Sequence, residues 1–192
     1  MEYNSDTWKV VDNYFKVHDN YLTKHHLDSF NDFVLNKIPL TIKQYNPQKL
    51  YKELNKETNN FKYETHIYYG GKDGSAIYIG RPIIFKDIDE SQMKKTLYPN
   101  EARLRNLTYA SYIFCDVHIE YIIKSDTSDD DIIITKEFKQ VNLGQIPIML
   151  QSKICMLFGA SFDLRKSMGE CPYAQGGYFV VEGQEKVIVS HE

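Results

Sequence analysis

Three cations stand where they could meet phosphate: Arg103 and Arg105, which flank Leu104, and Lys186, which opens the last apolar run of the chain. A guanidinium forks onto phosphate as readily as onto carboxylate, so each arginine has two readings. One is contact with a nucleic-acid backbone; the other is ion pairing with Glu101 or another acidic neighbour. Lys186 begins the expected returning strand of a hairpin, where a solvent-facing cation could touch a phosphate. Other groups that could carry chemistry resolve into ordinary structure. Asp126, Asp129, Asp130 and Asp131 supply oxygens of the kind magnesium or calcium prefers, yet lack the glycine and terminal glutamate of a calcium loop, so they read as a solvated hairpin tip. Gly70-Gly71-Lys72-Asp73-Gly74 resembles a phosphate cradle only in composition. It lies between two strand-like runs, not before a helix, and reads as a turn. His25, His26, His66, His118 and His191 do not fall at metal-ligand spacing. Cys115, Cys155 and Cys171 are odd in number and far apart, which fits neither a disulfide framework nor a zinc clamp and points to a reducing compartment. No catalytic residue and no metal site is read from the chain.

The elements that must position these cations are legible in part. Ser5-Asp6-Thr7 offers N-caps, and Trp8, Val11 and Phe15 recur at helical spacing, predicting an amphipathic helix over 7–18. Leu27, Phe30, Val34 and Ile38 repeat the pattern until Pro39, which marks a kink or a new helix start. Phe61, Tyr63, Ile67 and Tyr69 alternate with polar residues as a half-buried strand does, and the glycine-rich turn after them predicts a hairpin with Ala76–Ile79. Pro99 to Arg105 reads as one or two helical turns, with proline early and Glu101 near the positive end. Ile113 to Ile123 is the cleanest period-2 stretch, and Ile132 to Phe138 returns as its partner. At the end, Tyr178–Val181 and Lys186–Val189 are β-branched and aromatic runs separated by Glu182-Gly183-Gln184-Glu185, which predicts a second hairpin. Hairpins mixed with helices, without β-α-β alternation, give an α+β fold.

Composition sets outer limits. A chain of 192 residues with 42% hydrophobic and 14% aromatic content can hold one domain, or a large part of a bigger one. A net charge of −3 excludes the strong basic bias of a free-standing nucleic-acid binder, so any such contact is local. No segment has the roughly 18 to 20 consecutive apolar residues of a membrane helix, and the acidic start of the chain is not a signal peptide. The expectation is an intracellular protein, soluble or held in a soluble complex. Abundant Lys, Asn, Ile and Tyr suit an AT-rich genome such as that of a large DNA virus or a protist.

Four segments carry a family resemblance. The last, Gly176-Gly177-Tyr178-Phe179-Val180-Val181-Glu182-Gly183-Gln184-Glu185-Lys186-Val187, closely resembles a motif near the N-terminus of the second-largest, β-like subunit of multisubunit DNA-directed RNA polymerases. Tyr98-Pro99-Asn100-Glu101-Ala102-Arg103-Leu104-Arg105-Asn106-Leu107-Thr108-Tyr109 is similar to another block of that subunit. Gly144-Gln145-Ile146-Pro147-Ile148-Met149-Leu150-Gln151-Ser152 and Leu27-Asp28-Ser29-Phe30-Asn31 complete the series, in the order the family requires. The wording is that of the eukaryotic, archaeal and viral branch.

The resemblance implies that residues 1–192 are a single region, the N-terminal part of the protrusion domain, which forms one wall of the DNA cleft and continues beyond residue 192. Taken alone, such a chain is expected to be an incomplete folding unit, with Tyr178, Val180, Val187 and Val189 forming an uncovered apolar face. It would bind no cofactor itself; the parent enzyme would polymerise ribonucleotides with magnesium supplied by the largest subunit. Its partners would be the other polymerase subunits, above all the largest, with template DNA and the RNA–DNA hybrid. There would be no membrane, and the setting would be the nucleus, or the cytoplasm or virion for a large DNA virus. The alternative is a truncated, non-catalytic homologue that docks on polymerase partners.

Overall fold

Because the apolar residues recur first at helical and then at strand spacing, the chain lays down helices before sheets. The computed structural model describes residues 5–17, 20–55, 60–88, 91–124 and 131–189; Asp126, Asp129, Asp130 and His191 lie outside them. Helices α1 (Ser5–Val17) and α2 (Lys24–Asp32) lead through a π-helical turn (Phe33–Lys37) into α3 (Ile38–Tyr45). Then come β1 (Gln48–Asn55), β2 (Asn60–Tyr69), β3 (Ile77–Ile79), β4 (Ile83–Ile88) and β5 (Ser91–Thr96). Helix α4 (Pro99–Leu104) precedes the long strands β6 (Ala110–Ile123) and β7 (Ile132–Pro147). Helix α5 (Phe162–Ser167) and the hairpin β8 (Phe179–Val181) and β9 (Gln184–Lys186) close the order. The α+β class holds. Pro39 lies in the first turn of α3, where its missing N–H costs nothing. Leu27, Phe30 and Val34 are all buried, as their spacing predicts.

The chain divides into two compact units, residues 33–80 with 112–146, and residues 1–32 with 81–111 and 147–192. The first is built on a five-stranded sheet in the order β1-β2-β6-β3, with β7 also paired to β6. Its antiparallel registers run from Gln48↔Ile67 to Asn55↔Asn60 and from Tyr63↔Ile123 to Tyr69↔Val117. The expected hairpin between residues 61–69 and 76–79 does not form. Strand β3 pairs with β6 instead, Ile77↔Cys115 to Ile79↔Ile113. The reason is visible at Asp116: its carbonyl accepts from the Gly70 and Gly71 N–H groups at 2.8 and 3.0 Å, and its N–H donates to the Ala76 carbonyl at 3.1 Å. Strands β2 and β3 therefore run end to end along one edge of β6. The glycine turn is folded out between them, closed by Ala76 N–H to Gly70 at 2.9 Å, with Gly70, Gly71 and Gly74 all at positive φ.

The second unit holds a core of Leu97, Ala102, Tyr109, Ile148, Leu150, Cys155, Leu157 and Val180. Its backbone is cross-laced between segments far apart in sequence. Tyr109 N–H donates to Val180, Ile148 N–H to Tyr109 and Leu150 N–H to Tyr178, each at 2.9 Å. Tyr109 is fully buried and its hydroxyl accepts from Met156 N–H at 3.1 Å; burial pushes that hydroxyl well above the usual phenol range.

The terminal hairpin is tighter than the sequence suggests. Val181 pairs with Gln184 across a two-residue loop, Glu182 at φ 51° and Gly183 at φ 76°, the type I′ arrangement that matches strand twist. Gly183 N–H donates to Leu107 at 3.0 Å and Glu182 N–H to Thr108 Oγ1 at 3.1 Å, which pins the turn. The returning strand is thus 184–186, and Val187, Ile188 and Val189 lie beyond it and exposed. The expected open apolar face is only partly open, because Val180 is fully buried and Tyr178 half-buried.

Candidate nucleic-acid interface

Three of the motif segments, and the remaining one from Pro147 onward, meet in the second unit. Phe30 of α2 stacks edge-on against Phe179 of β8 at 5.5 Å, and Asn31 Oδ1 accepts from Lys153 N–H at 2.9 Å. Gly177 N–H donates to Leu150 at 3.0 Å, so the Gly-Gly pair lies against the Leu150-Gln151-Ser152 segment. Two glycines are forced by close approach. A Cβ at Gly176 would overlap the Leu150 carbonyl, and one at Gly183 would lie 2.7 Å from Asn106 Oδ1. These motif residues are what shapes the unit.

Arg103 is the charged member of that framework. Its Nη1 donates to both Glu170 oxygens at 2.9 and 3.0 Å, its Nε to Glu185 at 2.8 Å, and its Nη2 to the Tyr178 hydroxyl at 2.9 Å. The Glu170 side chain is only 5% exposed and that of Arg103 21%. Burial alone would lower the Arg103 pKa, but the Glu170 hydrogen bonds and charge more than offset it and raise it further. Burial pushes the Tyr178 hydroxyl up, against the pull of Arg103. The acidic partners of Arg103 are therefore Glu170 and Glu185, remote in sequence, and not Glu101.

Glu101 serves Arg105 and Lys95 instead, at 3.1 and 3.0 Å. On a helix, residues four apart share a face and residues two apart do not, so α4 turns Arg105 toward Glu101 and Arg103 away. The Lys95 hydrogen bond, with help from Arg105, holds the Glu101 carboxyl below the usual range despite burial. Because the folded value is depressed, this contribution is complete above the unfolded value of about 4.5 and is lost as pH falls through the folded one. Glu101→Gln is expected to cost about 0.5–1 kcal/mol at pH 7. It should also flatten the loss of stability below pH 4.5; denaturant midpoints across an acid series check both.

Arg105 is 44% exposed and borders a groove of about 460 Å³ lined by Tyr98, Asn100, Leu104 and Met168, with Leu104 itself 77% exposed. Lys186 closes β9 opposite Phe179, exposed, with Nζ 2.9 Å from Gln184 Oε1. It lines a second groove of about 350 Å³ with His26, Gly177, Tyr178 and Val187. Arg105 and Lys186 thus present charge outward, whereas every nitrogen of the Arg103 guanidinium is engaged within the fold. Sequence reasoning missed Glu170, Glu185 and Tyr178 as partners of Arg103. Nothing local signals them; Tyr178 and Glu185 share a motif segment, and Glu170 lies outside all four.

Residues 21–192 match the family described as RNA polymerase beta subunit. The chain is 33% identical over 187 residues to DNA-directed RNA polymerase II subunit 2 of Arabidopsis thaliana, covering 97% of this chain and 15% of that protein. It is 37% identical over 185 residues to DNA-directed RNA polymerase subunit Rpo2N of Methanothermobacter thermautotrophicus, covering 96% of this chain and 30% of that one. A third relative, DNA-directed RNA polymerase III subunit rpc2 of Dictyostelium discoideum, is 35% identical over 188 residues, 97% of this chain and 10% of the relative. The chain spans 10% to 30% of the length of these relatives. It belongs to the RNA polymerase beta subunit family and corresponds to the N-terminal region of the second-largest subunit.

Proposed function

We propose that the chain is part of the protrusion of a multisubunit DNA-directed RNA polymerase, a structural wall of the DNA cleft. The observation that supports this most is that the motif segments are laced to one another, Arg103 to Glu185 and Tyr178, Glu182 N–H to Thr108 and Gly177 N–H to Leu150, so that the unit is built to hold a shape. Among the described residues no three carboxylate, imidazole or thiol groups gather as a metal site would need. Magnesium would be held by the largest subunit, and this chain's residues would position nucleic acid. Arg105 and Lys186 are the phosphate contacts this reading favours, through outward charge; Arg103 would meet phosphate only by giving up a carboxylate. The partners would be the other polymerase subunits, template DNA and the RNA–DNA hybrid, in the nucleus, or in the cytoplasm or virion for a virus. A separate docking module is not favoured, since the relatives that match through 97% of the chain are RNA polymerase subunits. Co-expression tests the assignment: the polypeptide carrying this region should co-purify with a largest subunit and support templated RNA synthesis. A stable complex that forms without the region, with undiminished synthesis, would contradict it.

A further inference from the structure

Strand β7 is paired to β6 on one edge, and among the described residues no strand pairs its other edge. It runs from Ile132 to Pro147 with nearly every residue exposed, including Ile132, Ile133, Ile134, Phe138, Val141 and Leu143. A long open edge of this kind recruits another strand. The sequence of the strand selects which. In an antiparallel pair, directly opposed side chains share a face. Two copies related by a twofold axis must therefore place one residue opposite itself. Lys136, Glu137 or Lys139 on that axis would face its own charge. With Phe138 on the axis, Glu137 of each copy faces Lys139 of the other, so two opposite-charge pairs flank a Phe–Phe contact. Gln140, at φ 52°, bulges the strand and limits regular pairing to its central part. Glu137 Oε1 lies 3.4 Å from His118 Nδ1, but its side chain is 70% exposed and open to a second partner.

We propose that this chain, outside an assembled polymerase, pairs with a second copy of itself through β7, centred on Phe138 and set in register by Glu137 and Lys139. Light-scattering mass measurements on the full chain across a concentration series should rise from 22.5 kDa to twice that mass. Glu137→Lys and Lys139→Glu should each weaken dimerisation about ten-fold, since each turns two attractive pairs into repulsive ones. Mixing the two variants should restore the dimer, and so should the double swap Glu137→Lys/Lys139→Glu, which also shows that the charges are not needed for folding. A monomer at every concentration, assemblies insensitive to both single changes, or a mixture that stays dissociated would each overturn the proposal.

Discussion

Replacing Arg103 with alanine is expected to destabilise the second unit by about 3 kcal/mol, the penalty for stranding a buried carboxylate after its partner is removed. Glu170 would lose both of its Arg103 hydrogen bonds while remaining inside the fold, and Glu185 and Tyr178 would lose theirs as well. Arg103→Lys should recover only part of the loss, because an ammonium cannot fork onto Glu170 and still reach Tyr178. The discriminating variant is Arg103→Met with Glu170→Gln. Removing both charges together should cost less than Arg103→Ala alone, as the stranded charge is then absent. Denaturant midpoints of the chain and the three variants check this. Equal losses in all of them would mean that packing, not charge pairing, dominates at the site.

The second large effect belongs to Gly176. At φ 70° the backbone is in the left-handed region, and an added Cβ would run into the Leu150 carbonyl and approach the Gln151 Cβ to 2.8 Å. Neither obstacle is the free end of a flexible chain, so the backbone itself must move. Gly176→Ala should therefore cost about 3 kcal/mol, strain and clash together. Gly159 separates the two contributions, since it has φ 67° but nothing within 4 Å of its would-be Cβ. Gly159→Ala should cost only about 1 kcal/mol. Thermal or denaturant unfolding of both variants tests the difference, and equal costs would place the effect in φ alone.

What the sequence made legible follows from where burial imposes a period. Ile113 to Ile123 reads as a strand because apolar residues fall at every second position and the buried Cys115 and Val117 lie on that period, although His118 is buried beside them, and Leu27, Phe30 and Val34 read as helical because one face is covered. Strand β1 escaped notice because Leu50, Tyr51 and Leu54 are all exposed and leave no alternation to see. Ser91-Gln92-Met93-Lys94-Lys95-Thr96 likewise carries no apolar period, yet pairs throughout with β4. The false hairpin at residues 61–79 came from a correct turn with the wrong neighbour: glycines at 70, 71 and 74 say that the chain bends, not which strand it rejoins. At the candidate site the cations were evident from type, and the Glu101–Arg105 pair follows from spacing on a helix. The Arg103–Glu170 pair spans 67 positions and is set by tertiary contact alone.

One arginine builds the wall and two cations face outward, and salt dependence reads that division most directly. In an assembled polymerase, Lys186→Ala and Arg105→Ala should each weaken the transcript complex and reduce its salt slope by about 0.7–0.9, the counterion release of one phosphate contact. Arg103→Ala should lower the stability of the fold while leaving that slope unchanged. An unaltered slope for both Lys186→Ala and Arg105→Ala, or a flattened slope for Arg103→Ala with its fold intact, would contradict it.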